Sequence, residues 1–304
     1  MLKVGLISAK VPCIIGVGGS SNSIIILTGN KLLDKNSNII PSLPIPTGGS
    51  SSGSNMIEHD KAILFCGGYN SNSRNCVQLV NSQWKKHSTL KQKRCSASIV
   101  STNSAIYIFG GSVFPNTYEY LLKNSNEWQM GKTGIPKGFE DGCAISVKSG
   151  REIWLFGGWD TPNRILSFDV DTHSFKELPQ TLKTVISRKY GHRCAYIPGT
   201  NKVIITGGAT KGGDTLNSTE IIDTDTGTVM IGSPMNSRRS SHGIGIISID
   251  NREKLVVFGG HFRGMLDSVE FYNAESQKWE PTNIKLNEGQ CIYSFVNTEL
   301  GNII

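Results

Sequence analysis

The stretch that decides the fold is LVVFGG, residues 255–260. Four large apolar residues, two of them β-branched, run into a pair of glycines. The run is too short for a buried helix and suits a strand buried on both faces, ended by a backbone turn that needs no side chain. The same pattern recurs as ILFCGG (63–68), IYIFGG (106–111), IWLFGG (153–158) and VIITGG (203–208). The doublets Gly67-Gly68, Gly110-Gly111, Gly157-Gly158, Gly207-Gly208 and Gly259-Gly260 stand 43, 47, 50 and 52 residues apart, a mean of 48. A period near 50 residues is the mark of a repeat architecture. A degenerate further copy is read at IIILTGN, where Asn30 stands in for the second glycine after Gly29. IIGVGG, ending at Gly18-Gly19, is an alternative register for the same unit.

Working outward, each doublet is followed by an apolar or aromatic pair seven residues apart: Val77 and Trp84, Leu121 and Trp128, Phe168 and Phe175, Ile222 and Val229, Tyr272 and Trp279. Leu33 and Ile40 fit as the degenerate copy. Turn-formers such as Asp171-Thr172 and Asp225-Thr226-Gly227 lie between the two members, which reads as a hairpin. Upstream of the doublets lie further apolar stretches, CSASIV among them. Each unit is therefore four antiparallel strands, a to d, with the doublet ending strand b. A lone four-stranded sheet cannot bury both faces, whereas sheets packed radially can.

The strand-final glycines, the Tyr272-to-Trp279 spacing, the Arg239-to-His242 spacing and the repeat length resemble the kelch repeat family, over about residues 24–296. The resemblance implies an all-β, six-bladed propeller of four-stranded blades, one domain over residues 1–304, with residues 1–22 an N-terminal extension or extra strand. GQCIYSFV (289–296) reads as a strand a that closes the ring beside the N-terminal strands, removing an exposed sheet edge. The doublet glycines and Trp84, Trp128 and Trp279 are structural on this reading.

Composition supports it. Thirty-four glycines and only 18% charged residues argue against helical bundles, coiled coils and disorder. No apolar run approaches 18 residues, so no membrane-spanning helix is expected. The net charge of +7 comes without a run of four basic residues, so nucleic acid is not the expected partner. Seven cysteines without a CxxC make neither a disulfide framework nor a zinc site. Cys95, Cys143, Cys194 and Cys291 fall in or beside strand a, where a small apolar residue suits a crowded hub. Cys66 ends strand b and Cys76 begins strand c, so these two are candidates for a disulfide, which would imply an oxidising compartment. The sequon Asn217-Ser218-Thr219 is weak support for secretion, and the cytoplasm is slightly favoured.

No GxSxG, HExxH or phosphate-loop motif occurs, and no cofactor or metal is expected. His192 and His242 occupy matching places at the start of strand a. The Tyr-His dipeptide of the family's copper oxidases is missing. The alternative function is a sugar-active enzyme of the sialic-acid mutarotase type, assembled from Arg188, Arg239, His192, His242 and Glu140. The preferred reading is a binding module, a scaffold or adaptor. Strand parity places the b–c and d–a connections on one face. These are the long ones, and recognition tends to sit on long loops carried by a rigid scaffold. The expected partner-binding residues are Tyr69, Arg94, Phe114, Trp159, Arg188, Arg238, Arg239, Phe262 and Arg263. The d–a segments are basic and the opposite c–d turns acidic (Asp169, Asp171, Asp223, Asp225), so the expected partner is a protein with an acidic surface.

Overall fold

In a computed structural model, the structure describes residues 12–18, 23–28, 31–33, 52–69, 74–81, 83–159, 164–178, 190–250 and 252–299. Three N-terminal strands, β1 (Pro12–Gly18), β2 (Ser23–Thr28) and β3 (Lys31–Leu33), precede five blades of four consecutive antiparallel strands. The first blade is β4 (Ser54–His59), β5 (Ala62–Gly67), β6 (Asn75–Val80) and β7 (Gln83–Thr89). The second is β8 (Ser98–Ser101), β9 (Ala105–Phe109), β10 (Tyr118–Leu122) and β11 (Gln129–Met130). The third is β12 (Cys143–Val147), β13 (Glu152–Phe156), β14 (Ile165–Asp169) and β15 (Ser174–Glu177). The fourth is β16 (Arg193–Tyr196), β17 (Lys202–Thr206), β18 (Thr219–Asp223) and β19 (Val229–Gly232). The fifth is β20 (Gly243–Ile249), β21 (Arg252–Phe258), β22 (Ser268–Asn273) and β23 (Lys278–Lys285). The last strand, β24 (Ile292–Glu299), pairs with β1.

The expectation of six like blades is thereby corrected to five. The remaining strands form a composite sheet, in the order β24-β1-β2-β3, that joins the two ends of the described chain and ends in a three-residue strand. It is not a copy of the repeat in the register read from IIILTGN. That segment is the third strand, β2, and the second strand is β1, which ends at Gly18. Gly19, Gly29, Asn30 and Ile40 lie outside the described residues. The physical reason is that β1 and β2 are equally apolar, and only the partner across the sheet, β24, tells them apart.

The core sits in the seams between sheets. Leu64, Cys66 and Cys76 of the first blade pack with Ile106, Ile108 and Trp128 of the second, and Tyr107 and Phe109 of the second with Ile153, Leu155 and Phe168 of the third. Trp279 packs on Tyr272, its cross-strand neighbour, and its indole N–H donates to Thr219 of the fourth blade at 3.2 Å. Trp128 is fully buried, and Trp84 packs edge-on to Phe65. In the first blade the partner of Trp84 is Leu79 rather than Val77, because the hairpin closes tightly at the Val80–Gln83 pair.

The glycine doublets are the joints between blades. At four of the five doublets, those that begin at Gly67, Gly110, Gly207 and Gly259, the first glycine has a left-handed φ and meets a backbone carbonyl of the next sheet, and the second glycine's N–H donates to the same oxygen. Gly208 donates to Arg239 O at 2.8 Å, Gly111 to Phe139 O at 2.9 Å and Gly260 to Gln290 O at 2.8 Å. At Gly207 (φ 57°) an added Cβ would strike Arg239 O and lie 2.9 Å from the His242 ring. Gly207→Ala is therefore expected to destabilise the chain by about 2 kcal/mol or more, since left-handed strain and a backbone collision add. Urea unfolding measures it, and an unchanged midpoint would refute the account.

A second set of joints was not apparent from the sequence. Just before each inner strand stands a residue with left-handed φ: Gly53, Ser96, Asp141, Gly191 and Ser241. From Ser96 onward, each donates to the one before it. Ser96 N bonds Gly53 O, Asp141 N bonds Ser96 O, Gly191 N bonds Asp141 O, Ser241 N bonds Gly191 O, and Ile292 N bonds Ser241 O, all between 2.8 and 3.0 Å. This ring circles one end of the central channel.

Candidate binding face

The b–c loops and the d–a connections emerge at the same end of the channel. Nine large apolar side chains are strongly exposed among the described residues. Five of them lie on these b–c loops: Tyr69, Val113, Phe114, Trp159 and Met265. Tyr69 is 73% exposed and its N–H is tied to Ser52 O, so the loop base is fixed while the ring stands in solvent. Trp159 is held edge-on against Tyr190, with centroids 4.5 Å apart.

Phe262 lies between two guanidinium groups, Arg238 at 5.8 Å and Arg263 at 5.4 Å from the ring centroid. Arg238 also donates to Thr215 O at 3.1 Å, which pins it. These three line a groove of about 470 Å³ with His261, Gly213, Asp214 and Thr215, where the b–c loops of the fourth and fifth blades meet. Cation–π contact orients the guanidinium groups, and the N–H groups of Arg238 other than the one on Thr215, with those of Arg263, can meet an anion.

Two expected face residues are corrected. Arg94 and Arg239 are fully buried. Arg239 Nη2 bonds Glu270 Oε1 at 2.8 Å and Nη1 bonds the carbonyls of Gly259 and Ser268, while Arg94 Nη2 bonds Glu119 Oε1 at 3.1 Å and Nη1 bonds those of Gly110 and Thr117. Each arginine thus clamps the doublet turn of its own blade to strand c. Burial pulls both arginine pKa values below the ordinary range, and the facing carboxylate opposes that pull. The clue in the sequence was on the other side of the pair. Glu119 and Glu270 interrupt the apolar runs YEYLL and VEFYN, and a charge inside a buried strand needs a partner. Arg188 lies outside the described residues.

The third blade makes the same joint without charge. Phe139 takes the arginine's place, accepting from Gly111 N, and Leu166 takes the glutamate's, two residues before the doublet across the sheet. Both sit in one apolar cluster.

Of the groups gathered for an enzyme, Arg188 lies outside the described residues, and Arg239, His192 and His242 are buried. His192 and His242 are fully buried beside the second glycines Gly208 and Gly260, and His242 Nε2 bonds Thr206 Oγ1 at 2.8 Å. The channel itself, about 900 Å³, is lined by the inner strands. Near its ringed end lie Asp141 and Arg193, neither anticipated. Burial raises the Asp141 pKa and Arg193 opposes it. Arg193 bonds His192 O and Ile292 O and sits over the Phe295 ring. It thus links the inner strands β16 and β24.

On the opposite face, the acidic turn residues have local work. Asp169 accepts from the N–H groups of Asp171 and Thr172, and Asp223 from those of Asp225 and Thr226. These bonds hold both carboxyls below the usual range.

Cys66 and Cys76 face each other across β5 and β6 and form a disulfide, Cα–Cα 4.2 Å. A second joins Cys143 to Cys194 between the third and fourth blades, Cα–Cα 6.1 Å. The expected role of this second pair as plain hub packing is thereby revised.

Among the described residues no helix is long and apolar enough to cross a membrane. The family model for the KLHDC2/KLHL20/DRC7 Kelch-repeats domain matches residues 142–290. A RING finger domain and kelch repeat-containing protein of Dictyostelium discoideum is 24% identical over 233 residues, 74% of this chain. The chain spans only 22% of that relative's length. The solved structure of YjhT superposes with a TM-score of 0.70 at 13% identity, over 85% of this chain and 89% of that one, a likeness of fold alone. Blades of four antiparallel strands, joined at glycine doublets, agree with the family model, which covers just under half of the chain, and with the kelch-bearing relative, and together they support a kelch repeat protein.

Proposed function

We propose that this propeller is a protein-binding module, a scaffold or adaptor, that takes an acidic partner on the b–c and d–a loop face. The observation that carries the reading is that one face holds both exposed aromatics, Tyr69, Phe114 and Trp159, and the Arg238–Phe262–Arg263 groove. Rigid aromatic and arginine side chains are the usual anchors of interfaces. The relative that carries a RING finger beside its kelch repeats supports the view of a propeller used for recruitment. The burial of Arg239, His192 and His242 favours this reading over the sugar-enzyme alternative.

The test uses the partner captured by the full chain and identified by mass spectrometry. Arg238→Glu with Arg263→Glu is expected to slow association about tenfold or more, and high salt to do the same to the native chain, because rim charges act on the encounter step. Asp169→Asn on the opposite face should leave association unchanged. Loss of the partner in Asp169→Asn with retention in the arginine variant would place binding on the wrong face. Turnover of a sugar acid by the native chain would replace the proposal with the enzyme reading.

A further inference from the structure

The two disulfides differ in what can reach them. Cys66 and Cys76 are 0% and 1% exposed and are enclosed by Leu64, Leu90, Ile106 and Trp128, with no sulfur on the channel. Cys143 and Cys194 are each 8% exposed, and both line the channel wall, whose cavity of about 900 Å³ admits a small thiol. Both stand on inner strands, β12 and β16, at the seam between the third and fourth blades. On the inner side, bonds that cross that seam among the described residues include Gly191 N to Asp141 O at 2.9 Å and Tyr196 Oη to Ser146 O at 3.1 Å. Thiol–disulfide exchange needs a thiolate to reach one sulfur, so access separates an exchangeable bond from an inert one.

We propose that Cys143–Cys194 is a redox latch in the channel wall, opened by small thiols or dithiol reductases of the thioredoxin class, and that Cys66–Cys76 is a sealed structural bridge. A donor thiolate attacks one of the two sulfurs. The other leaves as a thiolate and takes a proton from water. A second donor thiol then resolves the mixed disulfide, and its displaced protein thiolate is protonated in turn. Two electrons pass from the donor pair, which leaves as a disulfide, to the two cysteines. Opening removes the covalent tie between β12 and β16 and leaves the inner seam on its hydrogen bonds.

The test is timed reduction of the oxidised full chain with glutathione or dithiothreitol under native conditions, with differential alkylation and peptide mass spectrometry. Cys143 and Cys194 should become alkylatable at least about tenfold faster than Cys66 and Cys76. Hydrogen exchange at the Gly191 amide should rise in the reduced protein while the chain stays folded. Cys66→Ala with Cys76→Ala should keep the fast phase, and Cys143→Ser with Cys194→Ser should abolish it. Equal rates for the two pairs would overturn the proposal. So would reduction of Cys66–Cys76 first, exchange only on global unfolding, or free Cys143 and Cys194 thiols after oxidative refolding.

Discussion

Arg239→Ala is expected to cost about 3–5 kcal/mol, read as a fall in the urea midpoint, because it strands a buried carboxylate, that of Glu270, without its cation. It also strips donors from the carbonyls of Gly259 and Ser268. The double variant Arg239→Phe with Glu270→Leu should recover most of the loss. A well-packed apolar pair often equals or exceeds a buried ion pair in stability, since neither charge then has to leave water. The molecule already performs this exchange in its third blade, where Phe139 and Leu166 stand in the same places. A double variant no more stable than Arg239→Ala would mean that the backbone bonds, those of Arg239 to the carbonyls and those of Glu270 to the N–H groups of Asn236 and Ser237, hold the joint rather than the charge pair. The same burial makes Arg239 unsuitable for charge-reversal tests of binding, so the association experiment uses Arg238 and Arg263.

Removal of the Cys143–Cys194 bridge by Cys143→Ser with Cys194→Ser is expected to lower stability by about 4 kcal/mol, and removal of Cys66–Cys76 by about 3 kcal/mol. The bridges close loops with sequence separations of 51 and 10, and the longer loop gives up more freedom in the unfolded chain. The order of the two losses is the sharper check, measured by unfolding both variants under oxidising conditions. A larger loss for the short loop would show that its apolar enclosure, rather than chain entropy, sets its worth.

The sequence carried the repeat, because a doublet of glycines after a buried strand is needed wherever one blade's backbone closes on the next. Gly207 cannot be replaced without striking Arg239 O, and Gly67, Gly110 and Gly259 meet a carbonyl in the same way, so the signal recurs along the chain. Alternation of strand direction then set which loops share a face, and it brought Cys66 next to Cys76. Tertiary structure alone decided the rest. Whether IIILT or IIGVG is a second strand depends on β24, which lies more than 260 residues away and supplies the edge that β1 pairs with. Arg94 and Arg239 read as surface cations, since nothing local distinguishes them from Arg238. They turn inward because Glu119 and Glu270 wait across the sheet. The ring of left-handed residues is built from Gly53, Ser96, Asp141, Gly191 and Ser241, where the backbone conformation is common and the side chains are not. Cys143 and Cys194 meet for the same reason. A contact between neighbouring blades is made by packing, and packing leaves no spacing in the chain from which it could be read.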